Sequence, residues 1–391
     1  MNALPHSIPG SWEIFCRVVD NYGDIGVCWR LARELVARHG VAVRLWVDDW
    51  ASFARLCPAV AGRSEAQVEG VEVRLWTSAF AAVEIEPAEV VIEAFACELP
   101  EAQVAAMARR SPPPLWINLE YLSAEDWVGG CHGLASPHPR LPLVKHFFFP
   151  GFGADTGGLL REAGLLAARD RMQGAPAVRR DWLAAHGLGA LPDDTLVVSL
   201  FAYAQPALDG LLGAWSHGAR PLLLLVPEGK VVGDVARALG AGPLQAGARL
   251  CRGGLTVAVL PFSDQDAYDR LLWICDLNFV RGEDSFVRAQ WAARPFVWHI
   301  YAQHDDAHFA KLDAFLARYG VELAPAPRAA LQAFCHAWNG DGDPAAAWPA
   351  LAAALPALAA HARRWSGKLG AEEDLVTRLT AFCNHIRGGA E

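Results

Sequence analysis

The sequence predicts an α/β protein of two Rossmann-like domains with a cleft between them. Short apolar runs alternate with amphipathic stretches through both halves of the chain, the pattern of βαβ units that build mainly parallel sheets. One run, "LLLLV" at 222–226, is apolar throughout, as expected of a strand covered on both faces. A length of 391 residues corresponds to about two domains.

In chain order, the first half predicts strands over 13–19, 41–47, 71–76, 89–94, 115–119 and 145–149, with an amphipathic helical stretch over 27–39. A less regular segment follows over 150–189, holding "GFGADTGG" and the helical pattern "AVRRDWLAAHGL"; the domain junction is expected there. The second half predicts strands over 195–200, 221–226, 255–260, 277–280 and 295–300. The longest apolar run, 345–360, is mostly alanine and is interrupted by Pro349 and Pro356. It reads as a pair of short helices and as a poor membrane span. The end, "AEEDLVTRLTAFCNHIRGG", predicts one more helix with Leu375, Leu379, Phe382 and Ile386 on one face. Acidic residues open it and glycines stop it.

Composition narrows the function. The chain is 53% hydrophobic and 20% charged, with 15 Trp and 17 Phe, which suits a packed globular protein rather than a disordered one. A net charge of −9 argues against a nucleic-acid binder. The nine cysteines are an odd number with no C-x-x-C, and Met1 to Gly10 lack an apolar core. A reduced, cytoplasmic protein is expected.

Four stretches could carry chemistry. In "IFCRVVDNYGDIGVCWRLA" a strand leads through a glycine-bearing turn into a helix, and the turn holds Asp20 and Asp24. Two readings compete. Asp24 caps a helix beginning near Gly26, or the two carboxylates face a cleft, since ligands of open α/β sheets bind beyond the carboxyl ends of strands. In "CDLNFVRGEDSFVRAQWAARPFVWHIY", the "RGEDS" segment is a second strand-to-helix turn. Arg281 offers a planar fork to a phosphate, and a helix start at Asp284–Ser285 offers unpaired backbone N–H groups. Asp284 has the wrong sign for phosphate and reads as a cap, while Glu283 could take a sugar hydroxyl; a capped helix with a surface arginine is the simpler alternative. In "SLFAYAQPALDGLL", Phe201 and Tyr203 stand where aromatics can stack on a base, although core packing explains them too. In "LPFSDQDAYDRLLW", Ser263 or Asp264 caps a helix from Gln265, a simpler reading than a metal-binding D-x-D of Asp264 and Asp266.

Other signals are weaker. His304 and His308 are spaced i, i+4 but lack the glutamate of H-E-x-x-H, so a helix start is preferred over a zinc pair. "GGCHGLASPHPRLP" reads as an irregular loop, and Cys131 and His132, being adjacent, do not make a nucleophile pair. "VDDW" at 47–50 is weaker still. No G-x-x-x-x-G-K-[ST] or strand-following G-x-G-x-x-G occurs, against a P-loop enzyme or a standard NAD enzyme.

The stretches "WEIFCRVVDNYGDIGVCWRLAREL", "LWVDD", "INLEYLSAEDWVGGCHGLASPHP", "FFFPGF", "SLFAY" and "VRGEDSFVRAQWAARPFVWHIYAQHDDAH" closely resemble the bacterial elongation factor P arginine rhamnosyltransferases, the EarP family, in order along nearly the whole chain. The resemblance implies a GT-B glycosyltransferase fold, two Rossmann-like domains facing a central cleft. It implies an acceptor-binding domain over 1–165, completed by a C-terminal helix over 371–391, and a nucleotide-sugar domain over 178–370. The implied reaction moves L-rhamnose from dTDP-β-L-rhamnose to an arginine side chain of elongation factor P, with inversion, activating the factor for ribosomes stalled at polyproline. No cofactor or metal beyond the donor substrate is implied, and no nucleic-acid or membrane partner. Carried over by position, the essential aspartates fall on Asp20 and Asp24 and the catalytic glutamate on Glu283. The nucleotide contacts fall on Phe201, Tyr203, Phe262, Gln265, Arg281, Asp284 and Ser285, and Tyr301 matches a residue linked to activity.

An arginine side chain stays cationic and is a poor nucleophile. Paired carboxylates can grip its fork and take a proton as the new bond forms. Asp24 is the expected general base with Asp20 as orienting partner, the reverse order remaining open. Rival readings are another GT-B enzyme with a different donor or acceptor, a nucleotide-sugar-binding regulator without catalysis, and a zinc hydrolase using the C-terminal histidines.

Overall fold

The computed structural model describes residues 8–19, 22–77, 80, 86–189, 191–302 and 307–388. The chain divides into two compact units, 1–163 with 371–391 and 164–370.

The first unit runs β1 (Ser11–Cys16), α1 (Gly23–His39), β2 (Ala42–Val47), α2 (Trp50–Leu56), β3 (Glu65–Val68), β4 (Val71–Leu75), β5 (Val90–Ala94), α3 (Glu101–Arg109), β6 (Leu115–Leu119), α4 (Trp127–Cys131), β7 (Ala135–Pro137) and β8 (Val144–Phe148). The eight strands are ordered β3-β4-β2-β1-β5-β6-β8-β7. The six inner strands are parallel, and β3 and β7 close the edges antiparallel to β4 and β8. Alternate residues of the strands serve opposite faces. Ile14, Cys16, Ile92 and Ile117 pack under Ile25, Cys28 and Leu31 of α1. Phe15, Val91 and Trp116 pack with Met107 of α3 on the other face. Connections run outward in both directions from the β1–β5 pair, which makes that pair the topological switch point where doubly wound sheets bind ligands.

The second unit runs α5 (Leu165–Gln173), α6 (Pro176–Ala185), β9 (Leu196–Leu200), α7 (Leu208–His217), β10 (Leu222–Pro227), α8 (Val231–Ala238), β11 (Arg249–Arg252), β12 (Leu255–Leu260), α9 (Gln265–Ile274), β13 (Leu277–Arg281), α10 (Asp284–Ala292), β14 (Phe296–His299), α11 (Ala307–Tyr319), α12 (Pro325–Trp338) and α13 (Pro344–Ala371). Its strands are ordered β11-β12-β10-β9-β13-β14, with only β11 antiparallel. The switch point lies between β9 and β13. All six residues of β10 are buried, which is what the unbroken apolar run requires.

Helix α13 differs from the expected pair of short helices: it is one 28-residue helix with Pro349 and Pro356 inside it. Both prolines face solvent, so the carbonyls left without a partner one turn earlier are open to water. Alanines favour the helix, and Leu351, Leu355, Leu358 and Trp365 bury its other face. By length and composition the stretch from Pro344 is long and apolar enough to cross a membrane, and Leu351, Leu355, Leu358 and Trp365 on it are buried within the protein.

The last helix, α14 (Leu375–Gly388), returns to the first unit. Asp374 accepts from the backbone N–H of Thr377 at 3.1 Å, and Leu375, Val376, Leu379 and Cys383 join the α1 face of the core. Arg38 of α1 fastens it, donating to both Asp374 carboxylate oxygens (2.8 and 2.7 Å), to Thr377 Oγ1 (2.8 Å) and to Glu34 (2.6 Å).

Candidate functional site

The first cluster lies at the carboxyl end of β1. Helix α1 begins at Gly23, with Tyr22 as its first flanking residue and no side-chain cap. Asp24 is therefore inside the first turn and does not cap a helix starting at Gly26. Its carboxylate bends back over the β1–α1 loop. Oδ2 accepts from the Val19 N–H at 2.7 Å and Oδ1 from the Tyr121 hydroxyl at 3.1 Å. Asp24 is 2% exposed, so the two donors offset the cost of burying a charge. Asp48, at the end of β2, braces the same loop by accepting from the Val18 N–H at 2.8 Å, and its neighbour Asp49 caps α2 through Ser52. Behind the loop, burial pushes the Cys16 thiol well up, with Cys28 and Asp24 adding to the effect. A thiol held in that form is no nucleophile at neutral pH. Asp20 lies outside the described residues.

The second cluster gathers the carboxyl ends of the second sheet. "RGEDS" is the turn from β13 into α10, as its strand-to-helix position requires. Gly282 sits at φ 59°, a left-handed conformation that favours glycine. Ser285 Oγ accepts from the Arg281 N–H at 2.9 Å and donates to the Arg281 carbonyl, closing the turn. Asp284 is the first residue of the helix rather than its cap; Glu283 holds the cap position, and its side chain does not cap the helix. The Asp284 carboxylate instead accepts from Gln265 Nε2 at 3.5 Å. The guanidinium of Arg281, 8% exposed, lies 4.6 Å from the Phe201 ring centroid and 4.7 Å from that of Tyr203. Tyr203 meets the edges of Tyr301 (5.5 Å) and His299 (5.2 Å). Burial and the positive charge of Arg281 lower the pKa of His299 to about 4, so its ring is neutral. Phe262 follows β12 by two residues, and Tyr301 is 48% exposed.

Beneath this layer lies a contact the sequence does not advertise. Arg288 of α10 forms two bonds with Asp269 of α9, at 2.8 and 2.6 Å, and both side chains are buried. It ties the helix carrying Asp284 and Ser285 to the helix carrying Gln265. Only a helix-face alignment of positions 269 and 288 would have exposed it.

The weaker candidates resolve into structure. Asp264 caps α9, accepting from the Ala267 N–H at 2.7 Å, so its carboxylate is engaged by the helix. His308 is buried at the start of α11, while His304 lies outside the described residues. Among the described residues no cluster of three or more metal-ligating side chains occurs. "GGCHGLASPHPRLP" is not irregular throughout, since it holds the end of α4 and all of β7. His132 accepts from the Phe149 N–H at 3.1 Å and packs on Phe148.

Known proteins agree with this architecture. The family model of the elongation factor P (EF-P) rhamnosyltransferase EarP matches residues 12–384. A protein-arginine rhamnosyltransferase of Pseudomonas putida is 54% identical over 95% of this chain and 98% of its own. One of Pseudomonas aeruginosa is 53% identical with the same coverage. A solved chain, from work on EarP-mediated arginine glycosylation of translation elongation factor EF-P, aligns with TM-score 0.67 and 41% identity over 95% of this chain and 98% of its own. With two Rossmann-like units of the GT-B glycosyltransferase type and a family match over nearly its whole length, this chain belongs to the EarP family of elongation factor P rhamnosyltransferases.

Proposed function

We propose that this protein transfers L-rhamnose from dTDP-β-L-rhamnose to an arginine side chain of elongation factor P, inverting the anomeric carbon. The observation that carries the reading is the Asp24 carboxylate, buried yet held at the switch point of the first sheet, in a chain of this family. Asp24 and Asp20 orient the acceptor guanidinium. A guanidinium nitrogen attacks the anomeric carbon from the face opposite the diphosphate and the carbon–oxygen bond to dTDP breaks. The nitrogen's proton passes to a carboxylate, with Asp24 assigned as the base.

The second unit holds the donor. Phe201 and Tyr203 offer aromatic faces to the base and sugar. Arg281, already aligned by those two rings, and the N–H groups at the start of α10 meet the diphosphate, whose negative charge grows as it leaves. Glu283 takes sugar hydroxyls. Elongation factor P is read as a folded domain, because one arginine offers too little surface for specificity.

The test is the intact mass of elongation factor P after incubation with the protein and dTDP-β-L-rhamnose. One deoxyhexose is expected, lost with Asp24→Asn and with Asp20→Asn. No mass gain with tightly bound donor would defeat the reading in favour of a binding protein or another acceptor.

A further inference from the structure

The loop after β5 is built against ordinary backbone preference. Phe95, Ala96 and Glu98 all take positive φ, at 56°, 52° and 57°. Non-glycine residues rarely do so, and a bulky aromatic least of all. Such strain collects where function requires a fixed shape. Here it has a visible result. The Phe95 N–H donates to the Leu119 carbonyl at 2.7 Å, and the Phe95 ring lies flat on Tyr121, 4.4 Å between centroids with planes 18° apart. The hydroxyl of that stacked tyrosine is the one donating to Asp24 Oδ1.

We infer that Tyr121, held by the strained Phe95, is a positioning residue that fixes the Asp24 carboxylate for the acceptor arginine; this rests on the proposed transferase reading. The Val19 N–H holds one carboxylate oxygen and the Tyr121 hydroxyl the other, and donors on both oxygens oppose rotation of the carboxylate about its bond to the β-carbon. A base held in one orientation needs no reorganisation as the proton moves. Tyr121 is 37% exposed, so its ring is not simply core filling. If packing were its purpose, the hydroxyl would be dispensable. Phe95 and Tyr121 come from two different strand ends, 26 positions apart, yet their rings stack and the tyrosine hydroxyl reaches Asp24 Oδ1.

The decisive variant is Tyr121→Phe, which removes one oxygen and keeps the stack. Its kcat is expected to fall about tenfold to a hundredfold, as for loss of a hydrogen bond to a charged group, with the KM for dTDP-β-L-rhamnose unchanged. Phe95→Tyr, which keeps the stacking ring, should retain activity, while Phe95→Leu should behave like Tyr121→Phe. A readout independent of turnover is amide exchange at Val19, whose N–H donates to Asp24 Oδ2 and which should quicken severalfold in Tyr121→Phe. Unchanged kcat and unchanged Val19 exchange in a normally folded Tyr121→Phe would overturn the inference. A parent protein that transfers no sugar, but whose Val19 exchange quickens in the variant, would overturn the transferase reading and leave the positioning contact standing.

Discussion

The guanidinium of Arg281 lies over the ring of Phe201, 4.6 Å from its centroid, and over that of Tyr203, 4.7 Å from its centroid. Strand β13 brings the arginine and strand β9 brings the rings, so the contact spans the switch point of the second sheet. Stacking on aromatic faces suits guanidinium better than ammonium, because the planar fork lies flat and keeps its in-plane donors free. Arg281→Ala should weaken dTDP binding by about a hundredfold, and Arg281→Lys by about tenfold despite keeping the charge. Calorimetry with dTDP would measure both, and equal affinity for parent and Lys variant would contradict the fork's role.

Arg288 and Asp269 form a buried two-bond pair. Removing one partner strands the other charge where water cannot reach it, at a cost of about 3–5 kcal/mol. Arg288→Met is expected to lower the thermal midpoint of the second unit sharply. Combining it with Asp269→Leu should recover much of the loss, since an apolar replacement of both ends is far less costly. Failure of the double variant to recover would place the pair's value in orienting α9 and α10 rather than in charge pairing.

Arg38 holds α14 through Asp374, Thr377 and Glu34. Arg38→Ala takes the cation 2.6 Å from the Glu34 carboxylate away and leaves Asp374 with the more distant Arg161, at 3.9 Å. Hydrogen exchange over 375–388 should accelerate well before the inner strands respond, with a stability loss of about 2 kcal/mol. Uniform acceleration across the whole first unit would instead mean that α14 unfolds only with its sheet.

His299 stays neutral in the folded protein down to about pH 4, through burial and the nearby Arg281. In the unfolded chain a histidine protonates near ~6.5. Between those values the unfolded state binds the extra proton, so stability falls as pH drops from the upper to the lower value. The contribution is on the order of 3 kcal/mol. Urea midpoints of the parent should therefore fall more steeply below pH 6.5 than those of His299→Gln. His132, His146 and His361, which burial also shifts downward, maintain a residual slope in both. Identical slopes would show that His299 protonates freely in the fold.

The inner parallel strands were legible because burial on both faces writes an apolar run into the chain; β10 reads that way without ambiguity. The edge strands β3, β7 and β11 were not. None carries a fully buried residue, so hydrophobicity leaves no period to detect. The same limit hid the unbroken course of α13, where prolines signal a break by local rules but solvent satisfies the carbonyls they abandon. At the sites, the residues after each strand could be read as candidates from their order alone. Asp24, read either as a cap or as a cleft residue, proved to be neither a cap nor free of the loop: it bonds Val19 and Tyr121.

The sequence by itself determined that this is a two-unit α/β chain, where its inner strands run, and which family it resembles. These properties are local or collinear: periodicity within ten residues, turn chemistry at strand ends, long motifs in order. Only the tertiary structure decided which distant side chains meet. Tyr121 reaches Asp24 because β6 and β1 flank β5 in one sheet, Arg288 reaches Asp269 because α9 and α10 pack side by side, and Arg38 reaches Asp374 because the chain returns after more than 300 positions. Such contacts depend on strand order and helix rotation, quantities set by the packing of the whole core and carried by no single stretch of residues.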